Sequence, residues 1–350
     1  MFQTIKATLR SVAAGAYWTS PHFLAHLRGR ILILAYHRVM PRGDRETFVQ
    51  PGMYVTPDTF ERHLRFLATH FELVAFRDLL TRFDTKTWNS STRYCVMTFD
   101  DGWLDNYRYA YPLLRAYRIP ATIFLPTDLI GTREWLWSDR LGYLLDRLRP
   151  QGGVGVRSKN LAALAGRYPQ LATLVRSHTT DACDSLIEFT KTISDQARVE
   201  LLHGLEEATG GRAPDDRRLI DWDEAREMSR HGIEIGSHTC AHADLSRLGR
   251  DDLRRELRRS LAVLGQQGVN DVPVLSYPYG AHTDIVVAEA RAAGYAAAVT
   301  MRPGLETIEP AAPDDLFRLK RIGVHDDVSA SIPLVAYHIH RQARQTARVS

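Results

Sequence analysis

The sequence predicts an α/β protein in which parallel strands form a barrel that carries a helical insertion. Short apolar runs of strand length recur along the chain, and helical patterns separate most of them. One long helical stretch interrupts this alternation. Strands that alternate with helices pair in parallel, and about seven of them over this length suit a barrel.

The strand candidates are short and apolar. The first, ILILAY over 31–36, is a continuous apolar run, as expected of a central strand that is covered on both faces. The further candidates are FELVAF (71–76), YCVMTF (94–99), ATIFLP (121–126), GIEIGS (232–237), VPVLSY (272–277), YAAAVT (295–300) and, later, LFRLKRIGVH (316–325).

Helical patterns lie between these runs. Thr56, Pro57 and Asp58 form a typical helix start. Apolar residues follow at helical spacing: Phe60, Leu64, Leu67 and Phe71, and later Leu253, Leu257, Leu261 and Leu264. Residues 140–220 are helical in pattern, and we expect them to be an insertion or cap in a barrel domain over 31–350, with an N-terminal helical segment over 1–30.

The composition is that of an ordinary globular protein, with 44% hydrophobic and 25% charged residues. The 45 Lys and Arg exceed the 41 Asp and Glu only slightly and form no long basic block, so we expect no nucleic-acid partner. Cys95, Cys183 and Cys240 lie far apart, which argues against a disulfide framework and against a thiolate zinc site. A reducing compartment fits this pattern.

The first 30 residues lack the uninterrupted apolar core of a signal peptide, and no run of about 18 apolar residues occurs in the chain. We therefore expect a cytoplasmic protein. The same 30 residues can form a basic, aromatic-containing helix that rests on a membrane surface, which predicts a peripheral contact with the inner face of the membrane. The oligomeric state is left open.

Two adjacent carboxylates, Asp100 and Asp101, directly follow the strand candidate at 94–99. The carboxyl ends of strands are where barrel folds build their sites. Neighbouring carboxylates repel each other, so a pair held in a cleft needs a cation, and a metal ion is the usual one. The alternative is that one of them caps a helix that begins near Trp103.

A second cluster follows the strand candidate at 232–237. It contains His238 and His242, which can face one cation from a single helical turn. Together with one carboxylate they form a set of two histidines and one aspartate, which leaves coordination positions open for water and substrate, as a hydrolytic site requires. The alternative is a pair of surface or capping histidines.

Three motifs resemble those of one known family. TFDDG at 98–102, SHTCAH at 237–242 and SYPYG at 276–280 are similar in order and strand context to motifs of the polysaccharide deacetylases of carbohydrate esterase family 4, which share the chitooligosaccharide deacetylase homology domain. The resemblance covers about 31–137 and 220–325. It implies a distorted (β/α)7-type barrel and a metal-dependent hydrolase that removes N-acetyl groups from N-acetylhexosamine units of a polysaccharide, an oligosaccharide or a lipid-linked glycan intermediate, as in exopolysaccharide biosynthesis.

The resemblance also implies roles for individual residues. Asp101, His238 and His242 would bind a divalent metal, with Zn²⁺ expected and Co²⁺ or Ni²⁺ as alternatives. Asp100 would be the general base for the attacking water, and the backbone N–H of Tyr279 would stabilise the oxyanion. The expected substrate contacts are Trp103, Tyr277, Pro278 and Gly280.

The third motif departs from the form that many members share. Ser276 stands where many of them have an arginine that steadies the catalytic aspartate. The sequence here resembles the branch with a Tyr-Pro-Tyr-Gly motif and a permuted barrel, where the general acid is a histidine after the first strand. That residue would be His37, although His325 competes for the role.

Two other functions stay open at this stage. The same residues could serve an amidohydrolase that acts on a small non-sugar amide, or the chain could be a glycan-binding barrel without turnover. Aromatic subsites would distinguish a glycan enzyme from the first, and acetate release would exclude the second.

Overall fold

We describe the fold from a computed structural model, which describes residues 2–20, 23–42, 48–148, 159–177, 179–212, 214–269, 271–309 and 316–345. The chain forms two compact units. The first comprises Met1–Pro41, Pro51–Thr132 and Arg218–Ser350, and the second comprises Arg42–Gln50 and Arg133–Arg217.

The first unit is built on a mixed, strongly curled sheet. Its strands are β1 (Arg30–Tyr36), β4 (Glu72–Leu73), β5 (Arg93–Phe99), β6 (Ala121–Leu125), β7 (Ile233–Ser237), β8 (Asp271–Ser276), β9 (Ala297–Val299), β10 (Glu306–Thr307) and β11 (Ile322–Gly323). A separate parallel pair consists of β2 (Arg38–Val39) and β3 (Tyr54–Val55).

The order of the main sheet is β10-β1-β5-β6-β7-β8-β9, and its pairs are parallel except that of β10 with β1. Residues 319–324 join the two sides of the curl. At one side Leu319 bridges Val299, and at the other β11 pairs in parallel with β1. This incomplete closure confirms the α/β class with a distorted barrel, and it uses the late strand candidate LFRLKRIGVH.

Helices surround the sheet of the first unit. They are α1 (Phe2–Trp18), α2 (Pro57–His70), α3 (Phe76–Thr85), α4 (Tyr111–Tyr117), α10 (Trp222–Arg230), α11 (Arg250–Gln266), α12 (Asp284–Ala293), α13 (Asp326–Ser329) and α14 (Ile332–Gln345). The predicted helix start is confirmed, because the Thr56 side chain accepts a hydrogen bond from the Thr59 amide and Pro57 occupies the first turn.

The strand predicted over 71–76 is mostly wrong. Only Glu72–Leu73 pair as a strand, and α3 already begins at Phe76. The buried carboxylate of Glu234 accepts hydrogen bonds from the amides of Phe76 and Arg77 at 2.7 and 3.1 Å. A carboxylate at this position satisfies the unpaired N–H groups of a helix start, so it favours a helix where the apolar run alone suggests a strand.

The second unit is helical. It contains α5 (Trp137–Arg147), α6 (Lys159–Arg167), α7 (Pro169–Arg176), α8 (Thr180–Thr192) and α9 (Asp195–Thr209). Its core is mainly aliphatic and includes the buried Cys183. Its helices, from Trp137 to Thr209, overlap the stretch 140–220 for which we predict a helical insertion. Within the described residues, no helix is both long and apolar enough to cross a membrane.

The parallel strands bring several loops to one end of the barrel. Since β1, β5, β7 and β8 run in the same direction, their carboxyl ends lie at the same rim. The residues that follow these four strands are the ones that the sequence singles out as candidates for chemistry. This rim is therefore where the candidate site lies.

One buried histidine links the barrel to its outer helices. His63 on α2 is 0% exposed, and its Nε2–H donates to the carbonyl of Ser329 at 2.7 Å. Its Nδ1 then accepts from the Tyr36 hydroxyl at 3.2 Å. Burial lowers the pKa of His63 to about 4, so the folded chain holds this imidazole neutral.

This histidine predicts an acid-sensitive fold. The stability that a neutral His63 contributes is present above the ordinary histidine pKa of about 6.5 and is lost as the pH falls toward 4, because the unfolded chain then binds the proton first. We expect the free energy of unfolding of the metal-free parent to fall between pH 7 and pH 5. In His63→Gln this fall should be about 2 kcal/mol smaller, because the variant lacks the buried imidazole. Urea unfolding at both pH values measures this, and His203→Gln, at an exposed site, should match the parent. Equal pH dependence in all three chains would contradict the prediction.

Candidate metal centre

Two carboxylates and one imidazole are buried at the rim of the barrel. Asp100 and Asp101 directly follow β5, and His238 directly follows β7. Their exposures are 2%, 4% and 2%. Asp101 has a left-handed backbone with φ of 73°, and Gly102 follows with φ of 68°. This turn places the two adjacent carboxylates at different positions within the site.

His238 and His242 lie together, but not on the helical turn that we expect from their spacing. Residues 238–242 form a loop with left-handed φ values of 67° at Thr239 and 58° at His242. Serine and threonine side chains brace it, since the Thr239 amide donates to Ser237 Oγ at 3.1 Å. The imidazole ring centroids are 4.8 Å apart, so the two rings lie side by side, but a loop rather than a helical turn brings them together.

Three donor atoms converge in a manner that suits a metal ion. The Oδ1 of Asp101 lies 3.3 Å from Nε2 of His238 and 3.2 Å from Nε2 of His242. One ligand atom of each residue lies within 4.8 Å of the others. Ligands at about 2.0 Å from a tetrahedral Zn²⁺ are about 3.3 Å apart, which matches the two short separations.

The hydrogen bonds around these atoms support the same conclusion. Nδ1 of His238 lies 2.7 Å from the carbonyl of Ser276, and a carbonyl can only accept, so Nδ1 carries the proton and Nε2 presents a lone pair. Among the described residues, no group forms a hydrogen bond with the buried Oδ1 of Asp101, while its Oδ2 accepts from the indole N–H of Trp103 at 3.0 Å. The residues therefore fit a divalent cation.

The site without a metal is short of positive charge. Burial raises the pKa of Asp101, but the imidazoles of His238 and His242 lower it more, to well below its usual range. Burial lowers the pKa of His238, yet the nearby carboxylates of Asp101 and Asp100 raise it above its ordinary value. Two adjacent anions thus attract any available cation, whether a proton on His238 or a metal ion.

Asp100 is held by an arginine that the sequence analysis missed. Arg321 is 0% exposed and binds Asp100 in a bidentate manner, with Nη1 2.8 Å from Oδ1 and Nη2 2.7 Å from Oδ2. Ser276 Oγ donates to Asp100 Oδ1 at 3.2 Å and accepts from Arg321 Nη2 at 3.0 Å. Burial raises the pKa of Asp100, but the charge and hydrogen bonds of Arg321 lower it to about 2.

Arg321 therefore supplies the charge that the third motif lacks. The small Ser276 contacts both the guanidinium and the carboxylate, so the two positions together replace a motif arginine. The sequence contains a signal for the buried arginine, because Phe317, Leu319 and Arg321 occupy alternate positions along the last strand candidate. In the structure all three are buried. A charged residue that continues an inward alternation needs a buried partner.

His37 lies next to Asp100. Its Nε2 is 3.9 Å from Asp100 Oδ2, at the end of β1. Burial lowers the pKa of His37, and the neighbouring carboxylates of Asp100 and Asp101 raise it again in part. The pKa of His37 thus stays below its ordinary value, which favours the neutral imidazole in the metal-free protein.

The loop that carries His37 is clamped to the loop after β5. Arg38 Nε donates to Asp105 Oδ2 at 2.7 Å, the Val39 amide donates to Asp105 Oδ1 at 3.0 Å, and the Asn106 side chain donates to the His37 carbonyl at 2.8 Å. The Arg38 guanidinium also lies 4.4 Å from the centroid of the Trp103 ring. These contacts fix His37 relative to the aspartates.

The third motif brings Tyr279 to the same site. The ring of Tyr279 packs edge-on against His242, with centroids 5.0 Å apart. Its backbone is left-handed, with φ of 60°, and Gly280 follows with φ of 70°. A Cβ at Gly280 would lie 2.7 Å from the Met301 amide nitrogen, so only glycine fits this turn.

Three of the expected substrate contacts are buried. Trp103 is 1% exposed and Tyr277 is 0% exposed, and Pro278 is buried as well. These side chains present no face to a sugar, which differs from the substrate contacts we expected of them. Trp103 instead orients Asp101, and the Tyr277 hydroxyl donates to the Phe317 carbonyl at 3.1 Å. Gly280 is partly exposed beside Tyr279.

His325 occupies a different position from His37. It is the residue before α13, and its nearest acidic partner is Asp327, with Nδ1 3.8 Å from Oδ2. Burial lowers the pKa of His325, and the more distant charges of Arg10 and His37 act on it as well. The structure thus places the imidazole of His37, rather than that of His325, beside the carboxylate of Asp100.

A curled α/β barrel whose strand ends carry an Asp-His-His cluster and an Arg-bound aspartate has the groups that a class of metal-dependent hydrolases requires. The comparison with known families agrees with this class. The polysaccharide deacetylase family model matches residues 88–298, more than half of the chain. The chain belongs to the polysaccharide deacetylase family.

Individual relatives are distant. The chain is 21% identical over 302 residues to the Bacillus subtilis (strain 168) protein named "Putative polysaccharide deacetylase YxkH", covering 86% of this chain and 74% of that protein. The fold of the present chain is similar to that of Streptococcus pyogenes deacetylase PplD in complex with acetate. The TM-score is 0.55 at 18% identity, and the match covers 89% of this chain and 97% of the other. A de-N-acetylase from Aggregatibacter actinomycetemcomitans gives a TM-score of 0.52, 16% identity and coverage of 88% and 99%.

The converging donor atoms predict which aspartate binds metal. We expect Asp101→Asn to weaken Zn²⁺ binding at least about a hundredfold, because the variant loses the anionic ligand. Asp100→Asn is the matched control, one residue away and equally buried, and should bind Zn²⁺ like the parent. Calorimetric titration of the metal-free proteins measures both. Normal binding by the 101 variant together with loss of binding by the 100 variant would reverse the assignment.

The bidentate contact predicts that the planar guanidinium of Arg321, and not only its charge, is needed to position Asp100. Arg321→Lys keeps the charge that a buried Asp100 needs but loses the planar fork, so the fold and metal binding should persist. We expect the rate of acetate release from N-acetylated oligosaccharides to fall roughly a hundredfold, as when a catalytic group is misplaced by about 1 Å. Arg302→Lys, at an exposed position, should retain the parent rate. Unchanged turnover in Arg321→Lys would mean that the fork is dispensable.

Proposed function

We propose that this chain is a metal-dependent N-deacetylase that hydrolyses the acetamide of N-acetylhexosamine units. The observation that carries this proposal is one rim of the barrel that holds both an Asp-His-His cluster and a second, arginine-bound carboxylate beside it. Family membership supports the reaction class. The similar fold of a protein described as a de-N-acetylase supports the choice of bond.

In the proposed reaction, water attacks the acetamide carbonyl, the C–N bond breaks, and acetate and a free amine leave. A divalent ion at Asp101, His238 and His242 would act as a Lewis acid that polarises the carbonyl and lowers the pKa of a water. Asp100 accepts the proton of the attacking water. Its Oδ2 retains one lone pair, since Arg321 Nη2 is its only hydrogen-bond donor among the described residues.

The proton then has to reach the departing nitrogen. His37 lies on the side of Asp100 Oδ2, with its Nε2 3.9 Å away, a distance that one bridging water or a small side-chain movement spans. A neutral imidazole can take the proton from the carboxyl group and donate it to the amine. We therefore assign His37 as the general acid, as in the branch with a Tyr-Pro-Tyr-Gly motif.

Negative charge develops on the carbonyl oxygen during the attack. We assign the backbone N–H of Tyr279 as its hydrogen-bond donor, supported by the turn that places Tyr279 against the proposed metal ligand His242.

Two imidazoles and a carboxylate suit Zn²⁺, with Co²⁺ or Ni²⁺ as alternatives. A glycan intermediate reached from the cytoplasm is the proposed substrate. The three cysteines, all among the described residues, are buried and form no disulfide, as a reducing compartment allows.

Acetate release from soluble N-acetylglucosamine oligosaccharides tests the proposal. The Zn²⁺-loaded parent chain should release acetate, and Asp100→Asn should retain metal but lose activity by at least about a hundredfold. His37→Ala should lose a similar factor, whereas His325→Ala should stay near the parent rate. No acetate from any N-acetylated glycan by a metal-loaded parent would overturn the proposal. A loss in His325→Ala but not in His37→Ala would reassign the acid.

A further inference from the structure

The acidic residues are distributed unevenly along the chain. All 41 Asp and Glu lie within residues 44–327, so that part is net negative although the whole chain carries +4. Residues 1–43 and 328–350 contain only basic charges. These are Lys6, Arg10, Arg28, Arg30, Arg38 and Arg42 in the first stretch and Arg341, Arg344 and Arg348 in the second.

The two acid-free stretches come together in the structure as α1 and α14. The ring of Tyr17 stacks on His340 with centroids 4.3 Å apart, and it lies 6.2 Å from the ring of Tyr337. Arg341 and Arg344 are exposed on α14. We call the two helices together the α1–α14 layer, and neither helix contains an acidic residue.

One face of α1 is apolar and exposed. Leu9 and Val12 are 64% and 68% exposed, and Ala16 is exposed on the same face at helical spacing. Ala14, on another face, is 0% exposed, while Trp18 packs on Phe23 with ring centroids 4.7 Å apart. The helix is thus held against the protein by one side and presents large apolar side chains on the other.

The layer also borders the end of the barrel where the candidate site lies. On α14, Nε2 of His338 lies 2.8 Å from the carbonyl of Gly323, at the end of β11. The ring of His338 also lies 6.4 Å from that of His325, which follows the same strand. Since β11 pairs in parallel with β1, α14 packs at the end of the barrel where His37 lies.

We propose that the α1–α14 layer docks on the anionic headgroups of a lipid bilayer, with Leu9 and Val12 inserted at the boundary of the acyl chains. Helices that lie in a membrane interface combine an apolar face with Lys and Arg and few acidic residues, and each basic side chain near an anionic surface strengthens binding about fivefold. A second copy of this chain is a poorer occupant, because two layers that carry only positive charge repel each other.

The docking itself does not depend on the reaction. A further consequence, which rests on the proposed function, is that the site would open beside the membrane and receive an N-acetylated glycan attached to a lipid. Vesicle binding by the inactive Asp100→Asn variant separates the two ideas. It should equal that of the parent whether or not the parent releases acetate.

Co-sedimentation of the full chain with phosphatidylcholine vesicles, with and without phosphatidylglycerol, tests the docking. We expect binding only when phosphatidylglycerol is present. Added salt should weaken this binding, because salt screens the attraction between exposed charges. The double variant Leu9→Ser/Val12→Ser should bind at least about tenfold more weakly, since two inserted apolar side chains are lost. Arg341→Gln/Arg344→Gln should lose roughly a similar factor.

The matched control is Ile285→Ser, which removes an apolar side chain that is 58% exposed on α12, outside the layer. It should bind vesicles like the parent, and all variants should keep the parent circular dichroism spectrum. Equal binding by Leu9→Ser/Val12→Ser and by the parent would overturn the proposal. Parent dimers that this double variant dissociates, without any vesicle binding, would also overturn it and identify the layer as a contact between copies.

Discussion

Two adjacent buried carboxylates are the constraint on which the candidate site depends. Asp100 and Asp101 cannot both be ionised at the rim of a barrel unless each has its own cation. Arg321 is the partner of Asp100, and the imidazoles with their proposed metal ion are the partner of Asp101. In the proposed mechanism, this separation would let one carboxylate act as a base and the other as a ligand, although they are neighbours in the chain.

The fold makes this separation possible through the ends of its strands. Asp100 follows β5, His238 follows β7, and Ser276 ends β8, while Arg321 comes from the irregular strand that joins the two sides of the curl. Groups from four places in the sequence therefore reach one rim without a long loop. The incomplete closure at 319–324 is part of the site, because it brings in the arginine.

Sequence patterns predicted the features that depend on local spacing. They failed for features that depend on a residue far away in the chain. The helix start at Thr56 and the clustering of Asp101, His238 and His242 follow from turn chemistry and strand ends, and both could be foreseen. The strand over 71–76 could not, because Glu234, 158 residues away from Phe76, caps a helix there. The role of Arg321 was not predicted for the same reason, since its partner Asp100 is 221 residues away. Trp103 was predicted to contact the substrate because a sequence motif does not show that its side chain is buried.

The left-handed backbones at Asp101, Thr239, His242 and Tyr279 have a consequence for how this protein can evolve. Such conformations cost non-glycine residues about 1 kcal/mol or more each, and a branched side chain such as that of Thr239 is the least tolerant. Selection for a sturdier chain would favour glycine at these positions, whereas the proposed chemistry requires a carboxylate and an imidazole at two of them. Thermal robustness must therefore be gained elsewhere in the barrel, and variation at its rim is limited by what the backbone there already tolerates.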